Sequence, residues 1–147
     1  MSIAVQLNPE RKQQAYQLIA ELQNERQEVW SLYCHVAELM PFSANPTVKK
    51  KLARFSETLI DYVSLGHFGV CECLFKDADG QDPALAAAEE IYPALSSTTE
   101  AAISFNDKYE SGVAAILDDL KQDLSALGES LAKRIDLEDR LCELILQ

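Results

Sequence analysis

The chain has 147 residues and a mass of 16.4 kDa, and its 24 acidic residues against 13 basic ones give a formal charge of −11. That length suits one compact domain burying roughly two-thirds of its unfolded surface, and that charge repels nucleic-acid phosphates and anionic membrane surfaces. With no apolar run of about 18 residues to span a bilayer and no basic, apolar, cleavable leader, residues 1–147 are expected to form a single cytoplasmic domain that binds neither nucleic acid nor membrane directly and whose natural partner is a basic protein.

Hydrophobic residues make up 48% of the chain and there are only five glycines and five prolines, a composition that favours helix over sheet. Asn8 as N-cap, Pro9 at the first helical position and Glu10 in the first turn predict a helix from there to about residue 39. Its apolar face is Ala15, Leu18, Ile19, Leu22, Val29, Leu32, Tyr33, Val36 and Leu39, and the polar stretch QNERQE (23–28) interrupts it, where a bend or fray is expected. MPFSANP is a loop. Asn45-Pro46 repeats the cap signal and opens a second helix to about residue 65. Gly66 then weakens the pattern, which resumes as HFGVCECLF, so a joint at Gly66 and a short helix ending near Phe75 are expected.

KDADGQDP is a surface loop, ALAAAEEIY a short helix, and Pro93 disfavours helical geometry at Tyr92, predicting a kink or break before PALSSTTEAAISFNDKYESGVAAIL. Asp119 and Gln122, at capping-box spacing, open the last helix, with Leu120, Leu124, Leu127, Leu131, Ile135, Leu137, Leu141 and Ile145 in helical period. No segment alternates as a strand would, and no internal repeat is visible. The expected fold class is all-α, an antiparallel bundle of four long helices plus short ones. Cys34, Cys71, Cys73 and Cys142 lie in apolar periodic segments and read as small core residues, consistent with a reducing compartment.

Asp61, Ser64 and His67 stand three residues apart, an acid, a hydroxyl and an imidazole in an otherwise apolar stretch. Buried polar groups need hydrogen-bonding partners, and the last helix offers Arg134, Glu138 and Asp139, with Arg134 and Glu138 one turn apart. The favoured reading is a buried polar network that fixes the register of the bundle. A hydrolytic triad would use the same residue types, but such residues normally converge from separate segments and need an oxyanion hole, and no Gly-x-Ser-x-Gly elbow is present. Metal spacings such as Cys-x-x-Cys, His-Glu-x-x-His or repeated Glu-x-x-His are absent, as is a phosphate-binding glycine loop. Hence no catalytic residue, metal or cofactor is assigned. A histidine phosphotransfer module, another small acidic helical bundle with one key histidine, or another helical-bundle signalling adaptor is the alternative, though the Phe68, Gly69 and Val70 that follow His67 lack the basic residue such a module carries there. The run Lys49 to Arg54 reads as a solvated helix face.

Two segments, FSETLIDYVSLGHFGVCECL and LGESLAKRIDLEDRLCELIL, resemble the most recognisable stretches of the Rsd/AlgQ family of bacterial regulators of the primary sigma factor. Asp61-Tyr62, Ser64 and Gly66-His67-Phe68 match its DY-S-GHF pattern, and Leu137-Glu138-Asp139 with Leu141 its LED-L pattern; Leu65 stands where alanine is expected. RQEVWSLYCHVAEL resembles the family's first helix more loosely, and Tyr92-Pro93 falls at its aromatic before proline. The resemblance implies a non-enzymatic helical bundle that binds region 4 of the sigma-70-class factor and opposes its contacts with core polymerase and the promoter, weak self-association being allowed. It also implies that Asp61, Ser64, Gly66, His67 and Phe68 form or support the binding face, Asp61 making an ionic contact.

Overall fold

The computed structural model describes residues 9–43, 45–66, 83–110 and 117–146. Among them the regular structure is entirely helical: α1 (Pro9–Ala37), α2 (Pro46–Ser64), α3 (Pro83–Tyr109) and α4 (Leu117–Leu146). The expected N-cap Asn8 and the expected short helix over HFGVCECLF lie outside the described residues. Where a bend or fray was expected in QNERQE, α1 runs on without interruption. Its Gln, Glu and Arg residues are good helix formers, and Leu22 and Val29, both buried, hold the helix to the core on either side.

α2 starts as its sequence dictates. Asn45 is extended (φ −113°, ψ 160°), as a residue before proline prefers, and the Val48 N–H donates to its Oδ1 at 2.9 Å, with Pro46 in the first turn. The buried face is Val48, Leu52, Phe55, Ser56, Leu59, Tyr62 and Val63. At the far end the Leu65 N–H is shared between the carbonyls of Asp61 and Tyr62, and the chain widens into a π-type turn at residues 65–66. At Gly66, where a joint between two helices is expected, this stretch of described residues ends.

The break expected near Pro93 is not there: α3 continues through Pro93, and ALAAAEEIY is its first part. Proline removes one hydrogen bond, to the carbonyl four residues back, and crowds that carbonyl. Both Pro93 and Glu89 are on the exposed side, where water can take the freed acceptor, while Ala88, Leu95, Ala102, Phe105 and Tyr109 bury the opposite face. α4 starts two residues before Asp119, which sits with Asp118 in the first turn, where acids favour the helix dipole. Its inner face carries Leu120, Leu124, Leu127, Leu131, Leu137, Leu141 and Cys142, with Arg134 and Glu138 among them.

Each helix runs antiparallel to its neighbours. Tyr33 of α1 meets Phe55 of α2 edge-on (5.9 Å), while Leu22 lies near Gly66 at the other end of α2. Phe55 meets Phe105 of α3 (5.9 Å), and Val63 approaches Leu95 through Arg134. Lys108 reaches Asp119 and Asp123 at one end of the α3–α4 pair, and Arg134 reaches Thr98 further along. The Tyr33 hydroxyl donates to the Leu124 carbonyl at 2.8 Å, and Arg26 meets Asp139, which sets α1 against α4. The result is a closed up-down-up-down ring, α1–α2–α3–α4, around one hydrophobic cluster. Gly128 lets α1 approach closely, since a Cβ there would overlap the Tyr33 hydroxyl. Of the cysteines expected in the core, Cys142 is buried and Cys34 is exposed; Cys71 and Cys73 lie outside the described residues. Among the described residues no helix is long and apolar enough to cross a membrane.

Candidate functional site

The polar residues of α4 that face inward meet at the C-terminal end of α2. Arg134 has no exposed surface (0%), and Glu138, one turn on, is 2% exposed. Arg134 Nε donates to Glu138 Oε2 at 3.0 Å. Nη1 donates to the Thr98 and Thr99 hydroxyls at 3.1 and 2.7 Å and to the Leu95 carbonyl at 3.4 Å, and Nη2 donates to the Val63 carbonyl at 3.3 Å. All three guanidinium nitrogens are thus engaged, and one side chain ties α4 to both α2 and α3. The Tyr62 hydroxyl donates to Glu138 Oε1, and the Arg134 guanidinium lies 5.4 Å from the Tyr62 ring centre. Arg26 of α1 closes the cluster at its rim, 3.7 Å from Glu138 and 2.8 Å from Asp139.

The electrostatics follow from burial. Burial raises the Glu138 carboxyl above its ordinary value, although Arg134, the Tyr62 hydroxyl and Arg26 all pull it down. Burial, then the Glu138 charge and the hydrogen bond to it, push the Tyr62 phenol far above the usual range. Burial first, and then Glu138 and Asp139, push the Cys142 thiol up to about 11, which keeps it an unreactive core group. Such a network holds all four helices in register.

Gly66 is buried beside it. A Cβ there would stand 2.7 Å from Arg134 Nη2 and 3.4 Å from Glu138 Oε2. The glycine of the sequence pattern is therefore the space that the guanidinium occupies.

Asp61 is exposed, Ser64 is half-buried, and His67 and Phe68 lie outside the described residues. Arg134 and Glu138 form the buried pair, whereas Asp139 is not buried with them: its side chain is 53% exposed, turned outward one position along the helix to meet Arg26. Sequence reasoning missed Tyr62, Thr98, Thr99 and Arg26 as members of the cluster. Tyr62 lies directly beside Asp61, and Arg26 sits in the polar stretch that looked like an interruption of α1; its four-residue spacing from Leu22 was the available signal.

Around Asp61 the surface is acidic and unbalanced. The Glu25 carboxyl on α1 is raised, by partial burial first and then by the charges of Glu28, Asp61 and Glu21. On the other side of Asp61 a groove between α2 and α3 carries Glu57 and Glu110. Among the described residues neither Glu57, Asp61 nor Glu110 has an ion-pair partner, the nearby Arg54 being 3.8 Å from Glu28. Lys49, Lys50, Lys51 and Arg54 are exposed at the other end of α2. Among the described residues no group of three or more His, Cys, Asp or Glu is placed to hold a metal.

Residues 1–146 match the model of the Rsd/AlgQ family, described as regulator of RNA polymerase sigma(70) subunit. The chain is 34% identical over 134 residues to the "Regulator of sigma D" of Yersinia enterocolitica, covering 86% of this chain and 79% of that protein, and equally identical to that of Yersinia pseudotuberculosis, of which it covers 78%. It is 37% identical over 103 residues to the protein of the same name from an Enterobacter species, covering 67% of this chain and 60% of that protein. No solved structure matches it. The match over nearly the whole sequence, and relatives at this identity, show that the chain belongs to the Rsd/AlgQ family of sigma(70) regulators.

Proposed function

We propose that the chain binds region 4 of the primary sigma factor in the cytoplasm and holds it in a stoichiometric complex, so that less sigma assembles with core polymerase and reaches the −35 promoter element. The observation that carries this reading is the crowding of carboxylates around Asp61 from α1, α2 and α3. Like charges held together are unfavourable in the free protein, and a cationic surface laid over them relieves the repulsion. Region 4 is a basic helix-turn-helix that meets DNA phosphates, so an acidic face competes for the same surface. The family description and the relatives' name support sigma as the partner.

The action is mass action: no bond is made or broken, and sigma withdrawn into the complex is unavailable elsewhere. Asp61 provides the ionic contact, with Ser64, Gly66, His67 and Phe68 as part of the face or its support. In calorimetry of the purified chain against isolated region 4, Asp61→Ala is expected to weaken binding by about 2 kcal/mol, roughly thirtyfold, as truncating one partner of a partly desolvated charge pair does. Unchanged affinity in a folded Asp61→Ala variant removes Asp61 from the interface.

A further inference from the structure

The groove between α2 and α3 holds a feature that the acidic face alone does not explain. Its volume is about 340 Å³, and Ser56 lies in its lining. The Ser56 hydroxyl is buried, the residue being 3% exposed, and its Oγ has no hydrogen-bond partner among the described residues. Leaving a buried hydroxyl unsatisfied is unfavourable, and a serine within a helix commonly escapes that cost by bonding back to its own backbone. Ser56 does not.

The groups around it are placed for a cation. Glu57 and Asp61 stand one turn apart on α2, and Asn106 and Glu110 one turn apart on α3, where the Glu110 N–H still donates to the Asn106 carbonyl at 2.7 Å. Acceptors thus come from two helices, with a hydroxyl and an amide between carboxylates that have no ion-pair partner among the described residues. Ala53 and Ile60 add apolar wall.

We infer that this groove is a socket for one arginine side chain of the basic partner, with Ser56 as its floor and Glu57, Asn106 and Glu110 as its sides. The inference rests on the reading of the acidic face as the partner-binding surface, and it adds a contact one turn beyond Asp61 towards the start of α2. A guanidinium is favoured over an ammonium because it is planar, carries five donors in a fixed fork and can bridge carboxylates from both helices while donating to a hydroxyl. Its methylene stem fits the Ala53 and Ile60 wall.

The test uses the full chain and two readouts. In calorimetry against region 4, Ser56→Ala and Glu110→Gln are each expected to weaken binding about three- to tenfold. Ser56→Ala is expected to leave the melting temperature unchanged or raised, because it removes an unpaired buried hydroxyl, so loss of folding does not obscure the result. N-acetylarginine amide titrated into the chain is expected to shift the Ser56 and Asn106 resonances saturably, more than N-acetyllysine amide does, and Glu110→Gln to reduce that response. If Asp61→Ala weakens region 4 binding while Ser56→Ala and Glu110→Gln do not, the acidic face stands and the socket is overturned. If region 4 does not bind at all, the proposed function fails and the arginine titration decides the socket: equal responses to the two amides, or an unchanged response in Glu110→Gln, overturn it.

Discussion

At Gly66 the requirement for glycine is one of space, since the position of its missing Cβ is taken by the Arg134 guanidinium. Gly66→Ala must push Arg134 away from Val63 or open the last turn of α2, and is expected to destabilise the protein by about 2 kcal/mol or more in urea unfolding, despite the better helix propensity of alanine. Removing Arg134 has a pH signature as well as a magnitude. Arg134→Met leaves the buried Glu138 with only Tyr62 and the more distant Arg26, at a cost of about 3–5 kcal/mol near neutrality. A carboxyl whose folded value is raised takes up a proton more readily when folded, so stability is greatest below its ordinary value and falls as pH rises through the raised one. With Arg134 gone the raising is stronger, so the deficit against the parent is expected to shrink as pH falls from neutrality towards the ordinary carboxyl range in paired unfolding curves; a pH-independent deficit would mean that Glu138 does not carry it. In the sequence, Arg134 and Glu138 could be paired by their one-turn spacing, and Gly66 stood out as a weak point in an apolar run. Thr98 and Thr99 could not be recognised, because polar residues on an amphipathic helix look solvated until the partner that turns them inward is known.

At the scale of elements, four long helices and the Asn45-Pro46 start of α2 were legible, because capping chemistry and apolar period act within one turn or two. Pro93 was not. Local rules count the hydrogen bond that proline removes, whereas the continuity of α3 depends on buried residues before and after it, a balance that the segment alone does not display. Pro93→Ala should therefore restore a backbone donor in a helix already formed and raise the melting temperature, by an amount corresponding to about 1–3 kcal/mol. A lower melting temperature would show instead that the proline shapes α3 in a way the packing requires. The same contrast applies to Cys34 and Cys142, both on apolar stretches, of which only the second faces inward.

Across the whole molecule, the net charge of −11 indicated the sign of the partner but not where on the surface it binds. The location proposed for it comes from the packing of three helices, which brings Glu25, Glu28, Glu57, Asp61 and Glu110 into one neighbourhood from distant parts of the chain. The buried Arg134 cluster lies directly behind the end of α2 that carries Asp61, so the face is held by groups that take no part in its charge. Association of the purified chain with isolated sigma region 4, followed by calorimetry from about 50 mM to about 300 mM salt, tests the central claim most directly. The expected result is a one-to-one complex whose affinity falls steadily as salt rises; no complex in dilute buffer, or an affinity indifferent to salt, would contradict an acidic face that captures a basic sigma module.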